Sequence, residues 1–173
     1  MPTKDDLVST LHLECDAAKH LFAKLPRKDW EATLAYRPTP GQRSTLELLR
    51  YLSFCGAGAC HAALDGGWDN YQKLAKRAES LTAEAFPAAM DRQKQEIADL
   101  LAPLSGKDLA SRMTKNPTGQ EMSLGRAFLD MPVRWLVGYR MQLFLYARAL
   151  GADLWTPDCW YGVSRERKEA HAS

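Results

Sequence analysis

Apolar residues recur along this chain at steps of three and four, the period of an amphipathic helix. Leu7, Leu11, Cys15, Ala18, Phe22 and Leu25 form one such stripe and predict a helix over about residues 4–25. A polar connection follows. It ends in Tyr36-Arg37-Pro38-Thr39-Pro40-Gly41-Gln42-Arg43, whose two prolines and glycine resist helix. Ser44-Thr45-Leu46-Glu47 then reads as a capping box, with the Ser44 hydroxyl accepting from the Glu47 amide and the Glu47 carboxylate returning to the Ser44 amide. The second helix runs from there to about Leu64, with Leu48, Tyr51, Leu52 and Cys55 facing inward, and Asp65-Gly66-Gly67 stops it. Gly56 and Gly58 weaken this helix and allow a close helix contact.

A short helix is expected over Asn70–Leu81. The third long helix begins near Pro87, a residue tolerated in a first turn, and its seam is Phe86, Met90, Ile97, Leu100, Leu101 and Leu104. Residues 106–122 are polar, with a turn at Asn116-Pro117-Thr118-Gly119. The last helix spans about Ser123–Leu150 and is closed by Gly151, with Phe128, Trp135, Tyr139, Leu143, Tyr146 and Leu150 on its inner face. Pro132 removes one backbone donor inside it and predicts a kink near Phe128. Trp155, Trp160 and Tyr161 are expected to fold back over the bundle. No segment alternates as a strand does. The pattern is that of an all-α four-helix bundle with an added short helix, forming one domain over residues 1–173 with a frayed charged tail from about 164. Its first and third connections are long, so the topology need not be simple up-down-up-down.

Composition narrows the function. The chain of 173 residues is 46% hydrophobic and 25% charged, which excludes a disordered or collagen-like chain. A net charge of +2, with no basic stripe interleaved with aromatics, argues against nucleic acid. No apolar run approaches the roughly 20 residues of a membrane span, and the polar start Met1-Pro2-Thr3-Lys4 lacks a secretory signal. A cytoplasmic protein without membrane partners is expected. Cys15, Cys55, Cys60 and Cys159 form no C-x-x-C pair and read as reduced, partly buried thiols.

His12, Asp16 and His20 sit at i, i+4 and i+8, on the side of the first helix opposite its apolar stripe. The outer two lie about 12 Å apart along the axis, too far for one metal, so they read as a solvated face with ion pairing. His61 and Asp65 read as a helix-end pair, and His171 signals nothing. No nucleophile elbow, phosphate loop or dinucleotide fingerprint is present. Trp135 and Tyr139 are four apart on the last helix and Tyr51 is central to the second, so three large rings with polar tips converge on the bundle axis. Such a group is either a core cluster with hydrogen-bonded hydroxyls or the wall of a small-molecule pocket. Under the second reading the lining is Tyr51, Cys55, Trp135, Tyr139 and Gln142.

Two stretches carry a family resemblance: Pro38-Thr39-Pro40-Gly41-Gln42-Arg43-Ser44-Thr45-Leu46-Glu47-Leu48-Leu49-Arg50-Tyr51, and Trp135-Leu136-Val137-Gly138-Tyr139-Arg140-Met141-Gln142 through Leu150-Gly151. They resemble the DinB-like (DinB/YfiT-like) superfamily of four-helix bundles, in which a proline-glycine loop and a serine-capped helix lead to a metal-binding histidine and the last helix carries H-x-x-x-H-R-x-Q. The likeness spans roughly residues 5–155. The family's three ligand positions fall here on Tyr51, Trp135 and Tyr139, and none is histidine. Indole offers no lone pair for coordination and a neutral phenol is a poor ligand for zinc or nickel. Arg140 and Gln142 match the motif as flanking positions. The resemblance implies a bundle that has lost its metal, needs no cofactor, and binds a small apolar or thiol ligand or another protein; it also implies a homodimer. The alternative is an enzyme: a zinc- or nickel-dependent thiol S-transferase or hydrolase of the family's type, or chemistry based on Cys55, Tyr51 or Tyr139. Nothing in the sequence supplies the cation or base that their activation requires.

Overall fold

A computed structural model describes residues 2–164, so the charged tail expected beyond Ser164 lies outside the described residues. Four long helical runs form the body: α1 (Lys4–Ala23), α3 (Thr45–Asp65), α5 (Phe86–Leu101) and a broken fourth run of α7 (Leu124–Phe128), a π turn (Leu129–Val133) and α8 (Arg134–Ala149). Between them stand the short helices α2 (Trp30–Ala35), α4 (Asp69–Ala78) and α6 (Gly106–Ser111), and α9 (Thr156–Tyr161) follows. Both α1 and α3 pack on α5 and on α8, so α1 and α3 lie across the bundle diagonal. The long first connection makes that diagonal crossing, with α2 inside it.

The helix starts follow local chemistry. Ser44 and Glu47 form the expected box, with Ser44 N donating to Glu47 Oε2 at 2.6 Å and Glu47 N to Ser44 Oγ at 3.2 Å. Thr3 with Asp6 and Ser105 with Asp108 repeat the device on α1 and α6. Pro132 has no N–H to offer the Phe128 carbonyl, and the helix widens around it into a π turn closed by Arg134 N donating to Leu129 O. The expected break is there, and it is a bulge in the hydrogen-bond ladder.

The polar stretch after α6 holds a feature that the sequence pattern does not predict. Met113–Lys115 (β1) and Glu121–Ser123 (β2) pair antiparallel across the Asn116–Gly119 turn, with Thr114 opposite Met122. Each strand has only three residues and is largely exposed, so neither produces hydrophobic alternation. A second correction concerns the tail. α9 does fold back, but through Asp158 and Cys159, which are buried, while Trp155, Trp160 and Tyr161 stay 43–65% exposed. Gly162 ends α9 at φ 64°, and a Cβ there would lie 3.1 Å from Ala17 Cα, so the chain passes α1 at backbone contact distance.

Apolar burial concentrates between the four runs: Leu11, Leu21, Leu48, Leu52, Phe86, Met90, Ile97, Phe128 and Leu143 are each inaccessible to solvent. Each such side chain contributes about 1.5–3 kcal/mol relative to exposure. On α8 the expected Leu143 and Tyr146 are buried, but so are Leu136, Arg140, Phe144 and Ala147, while the expected Trp135, Tyr139 and Leu150 are only half-buried, so the inner face is rotated from the one expected. Arg140, read from sequence as a flank, is therefore wholly inside.

Candidate functional site

Of the three rings singled out from sequence, Tyr51 and Tyr139 meet directly and Trp135 joins them through Tyr71. They do so at the side of the bundle, not on its axis, because α4 rather than a long helix closes that side. Tyr51 of α3 and Tyr139 of α8 pack with ring centroids 4.5 Å apart. Trp135 sits one turn before Tyr139; it stacks on Trp68 at 6.2 Å and meets Tyr71 edge-on at 6.1 Å. Tyr71 Oη donates to Tyr51 Oη at 3.3 Å. Phe54 fills the corner between Tyr51 and Tyr71. Tyr71 can lie so close to α3 because Gly58 faces it; a Cβ at Gly58 would stand 2.7 Å from the Tyr71 ring. Trp68 and Tyr71 belong to the cluster by tertiary placement alone.

Arg43 lies over these rings, its guanidinium carbon 4.2 Å from the centroid of Tyr51 and 5.3 Å from that of Tyr139. A cation at this distance from a ring face is attracted by the ring quadrupole, by about 0.5–1 kcal/mol at an exposed site. This is the cation that sequence proximity to Cys55, Tyr51 and Tyr139 failed to reveal. Arg43 is placed by the Ser44 cap, which starts α3 one residue later, and by Tyr146, whose hydroxyl donates to the Arg43 carbonyl at 2.9 Å. Burial pushes the Tyr51 hydroxyl well above its ordinary value and raises that of Tyr71. Both phenols are therefore neutral at physiological pH despite the nearby guanidinium.

The remaining expected lining residues are placed differently. Cys55 is fully buried behind Tyr51, and burial pushes its thiol upward, away from a thiolate. Gln142 donates to Tyr146 Oη at 2.7 Å, and so supports the Arg43 loop. A cleft of about 310 Å³ opens beside the cluster, lined by Arg43, Glu47, Arg50, Tyr51 and Phe54 on one side and by Ala75, Ala78 and Glu79 on the other. Trp135, Tyr139, Cys55 and Gln142 do not form its wall.

His12, Asp16 and His20 remain apart, each with its own partner. Their face is partly covered by α5 and α9: His12 and His20 are half-buried, while Asp16 stays exposed. His12 Nε2 lies 3.0 Å from the Lys94 carbonyl, Lys94 Nζ 2.6 Å from Asp16, and His20 Nε2 2.7 Å from Asp158 Oδ1. Burial pushes the Asp158 carboxyl up, but bonds from His20 and the Trp155 amide outweigh it and hold the group below the usual carboxylate value. His61 pairs with Asp65 at 3.6 Å as expected, and also with Glu96 of α5 at 3.0 Å. All four cysteines are free and buried.

The burial of two polar groups is not signalled in the sequence pattern. Gln93 lies inside the α5 seam and bonds a rung of the α3 ladder, its Oε1 accepting from Gly56 N at 2.9 Å and its Nε2 donating to Leu52 O at 2.9 Å. Arg140 donates to the Glu14 carboxylate, and to the Cys159 carbonyl at 2.5 Å and thiol at 3.0 Å, joining α1, α8 and α9. Among the described residues no three His, Cys, Asp or Glu side chains gather closely enough to hold a metal ion, and no helix is long and apolar enough to cross a membrane.

No protein-family model and no curated protein matches the chain. Among solved structures, a DinB-like protein of Bacillus subtilis, YjoA, superposes with a TM-score of 0.65 at 18% identity, covering 86% of this chain and 94% of that one. The breadth of that superposition gives this chain the DinB-like fold.

Proposed function

We propose that this DinB-like bundle works without the metal centre associated with the fold, as a binding protein whose aromatic cluster holds a small molecule. The observation that carries this reading is the packing of Tyr51 on Tyr139 beneath the Arg43 guanidinium, with Trp135 joined to them through Tyr71. A divalent ion does not fit that environment. The indole has no donor lone pair, burial holds the Tyr51 and Tyr71 phenols neutral, and the nearest fixed charge is already positive. A ligand with an apolar or thiol-bearing body suits the ring walls, and an acceptor group on it suits Arg43, whose side chain hydrogen-bonds to no described residue.

Elemental analysis of tag-free protein purified without chelator is expected to find zinc and nickel well below one equivalent; a stoichiometric amount of either overturns the proposal. A thermal-shift screen of small thiols and uncharged apolar molecules should find ligands whose stabilisation is lost in Tyr51→Ala and Arg43→Gln. Stabilisation that persists in both variants would place the ligand elsewhere. The correspondence with the family's ligand positions has its own test: the triple variant Tyr51→His, Trp135→His, Tyr139→His should acquire calorimetrically measurable zinc or nickel binding. A well-folded triple variant that binds neither would show that these three positions are not equivalent to the histidines.

A further inference from the structure

A second cleft, of about 330 Å³, lies on the other side of Phe54 and Ala78, between α3, α5 and the loop that joins α4 to α5. Its floor is apolar, made by Phe54 and Leu74. It stays open because the positions facing that floor are small: Ala78 ends α4, and Ala85 and Ala89 stand one turn apart where α5 begins. The roofing loop is held in place. Arg50 Nε donates to the Leu81 carbonyl at 3.0 Å, and Trp30 Nε1 donates to the Glu84 carboxylate at 2.8 Å. The cleft is thus a preorganised part of the fold, at the lower end of the size range of small-molecule sites.

The charge at its rim selects the sign of a ligand. Arg77, Arg92 and Glu96 stand there. Glu96 is already engaged, with His61 Nε2 3.0 Å from one oxygen and Arg77 Nη2 3.9 Å from the other. Arg92 pairs with no described residue. The Ser53 and Ser80 hydroxyls donate to the carbonyls of Arg50 and Arg77, so the guanidinium groups are the donors left for an anion. Guanidinium recognises carboxylate through paired, charge-assisted hydrogen bonds.

We propose that this cleft binds a small apolar carboxylate, with its hydrocarbon body on Phe54, Leu74 and the alanines and its carboxylate against Arg92 and Arg77. The inference is independent of the metal-free reading of the aromatic cluster. Calorimetric titration of the full chain with octanoate tests it, with n-octylamine as the probe of opposite charge. Octanoate should bind saturably at one site and octylamine should not. Arg92→Gln, which removes the charge, and Ala85→Phe, which fills the cleft from its edge, should each weaken octanoate by about tenfold or more at unchanged melting temperature, the loss of a charge-assisted bond being worth about that factor. Absence of saturable binding, or binding indifferent to both cleft variants, would each overturn the proposal.

Discussion

Replacing Arg140 with methionine is expected to destabilise the protein by about 3–5 kcal/mol, the usual cost of stranding one member of a buried ion pair. Arg140 has no solvent exposure, and the Glu14 side chain is 9% exposed. Without the guanidinium, the Glu14 carboxylate stays in the core with its main donor gone, and α9 loses its ties through the Cys159 carbonyl and thiol. The pair itself is not an optimal solution, because Arg140 Nη2 is buried with no acceptor. The double variant Glu14→Leu, Arg140→Met should therefore recover most of the loss, since apolar groups of similar volume often replace a buried pair at little or no cost. Urea denaturation of wild type, both single variants and the double variant measures this directly. A single-variant loss below about 1 kcal/mol, or a double variant worse than either single one, would contradict the account.

Gly56→Val should cost about 2–3 kcal/mol for a different reason, overpacking where two helices touch. A Cβ on Gly56 would stand 2.7 Å from Leu136 Cδ1 and 3.2 Å from Gln93 Oε1. Leu136 is fully buried, and Gln93 is fixed by its bonds to Gly56, Ala57 and Leu52, so neither neighbour can retreat cheaply. Gly56→Ala meets the same atoms, but a helix-propensity gain of about 1 kcal/mol offsets part of the clash. Gly58→Ala should be milder still. Its close neighbour is the ring of Tyr71, which is half-buried, whereas Leu136 and Gln93 are fully enclosed. Thermal melts of the three variants should rank Gly58→Ala above Gly56→Ala, and Gly56→Val lowest. Equal melting temperatures for Gly56→Val and wild type would mean that α3 and α8 are less tightly apposed than described.

Much of the fold is legible in sequence because it is local. The Ser44 cap, the proline at the start of α5, the break at Pro132 and the glycine after α8 each act within a few residues. The hairpin escapes that reading because its three-residue strands bury too little to leave an alternating pattern. The candidate site is legible by half. Trp135 and Tyr139 share a helix face, and the capped helix brings Tyr51 into register with the family motif. Trp68 and Tyr71 join them because α4 folds back on α3, and Arg43 is held over them in part by Tyr146, which bonds its carbonyl from a position 103 residues away.

The amino-acid sequence alone determined that this chain is helical, where its long helices start and stop, and which faces are apolar, since caps, prolines and hydrophobic period operate over one or two turns. The tertiary structure alone decided which face of α8 lies innermost, that a buried Arg140 meets Glu14 across 126 residues, and that a guanidinium covers the aromatic cluster. Those outcomes depend on how helices rotate and cross when they pack, and that rotation is set by side-chain fit between segments distant in sequence.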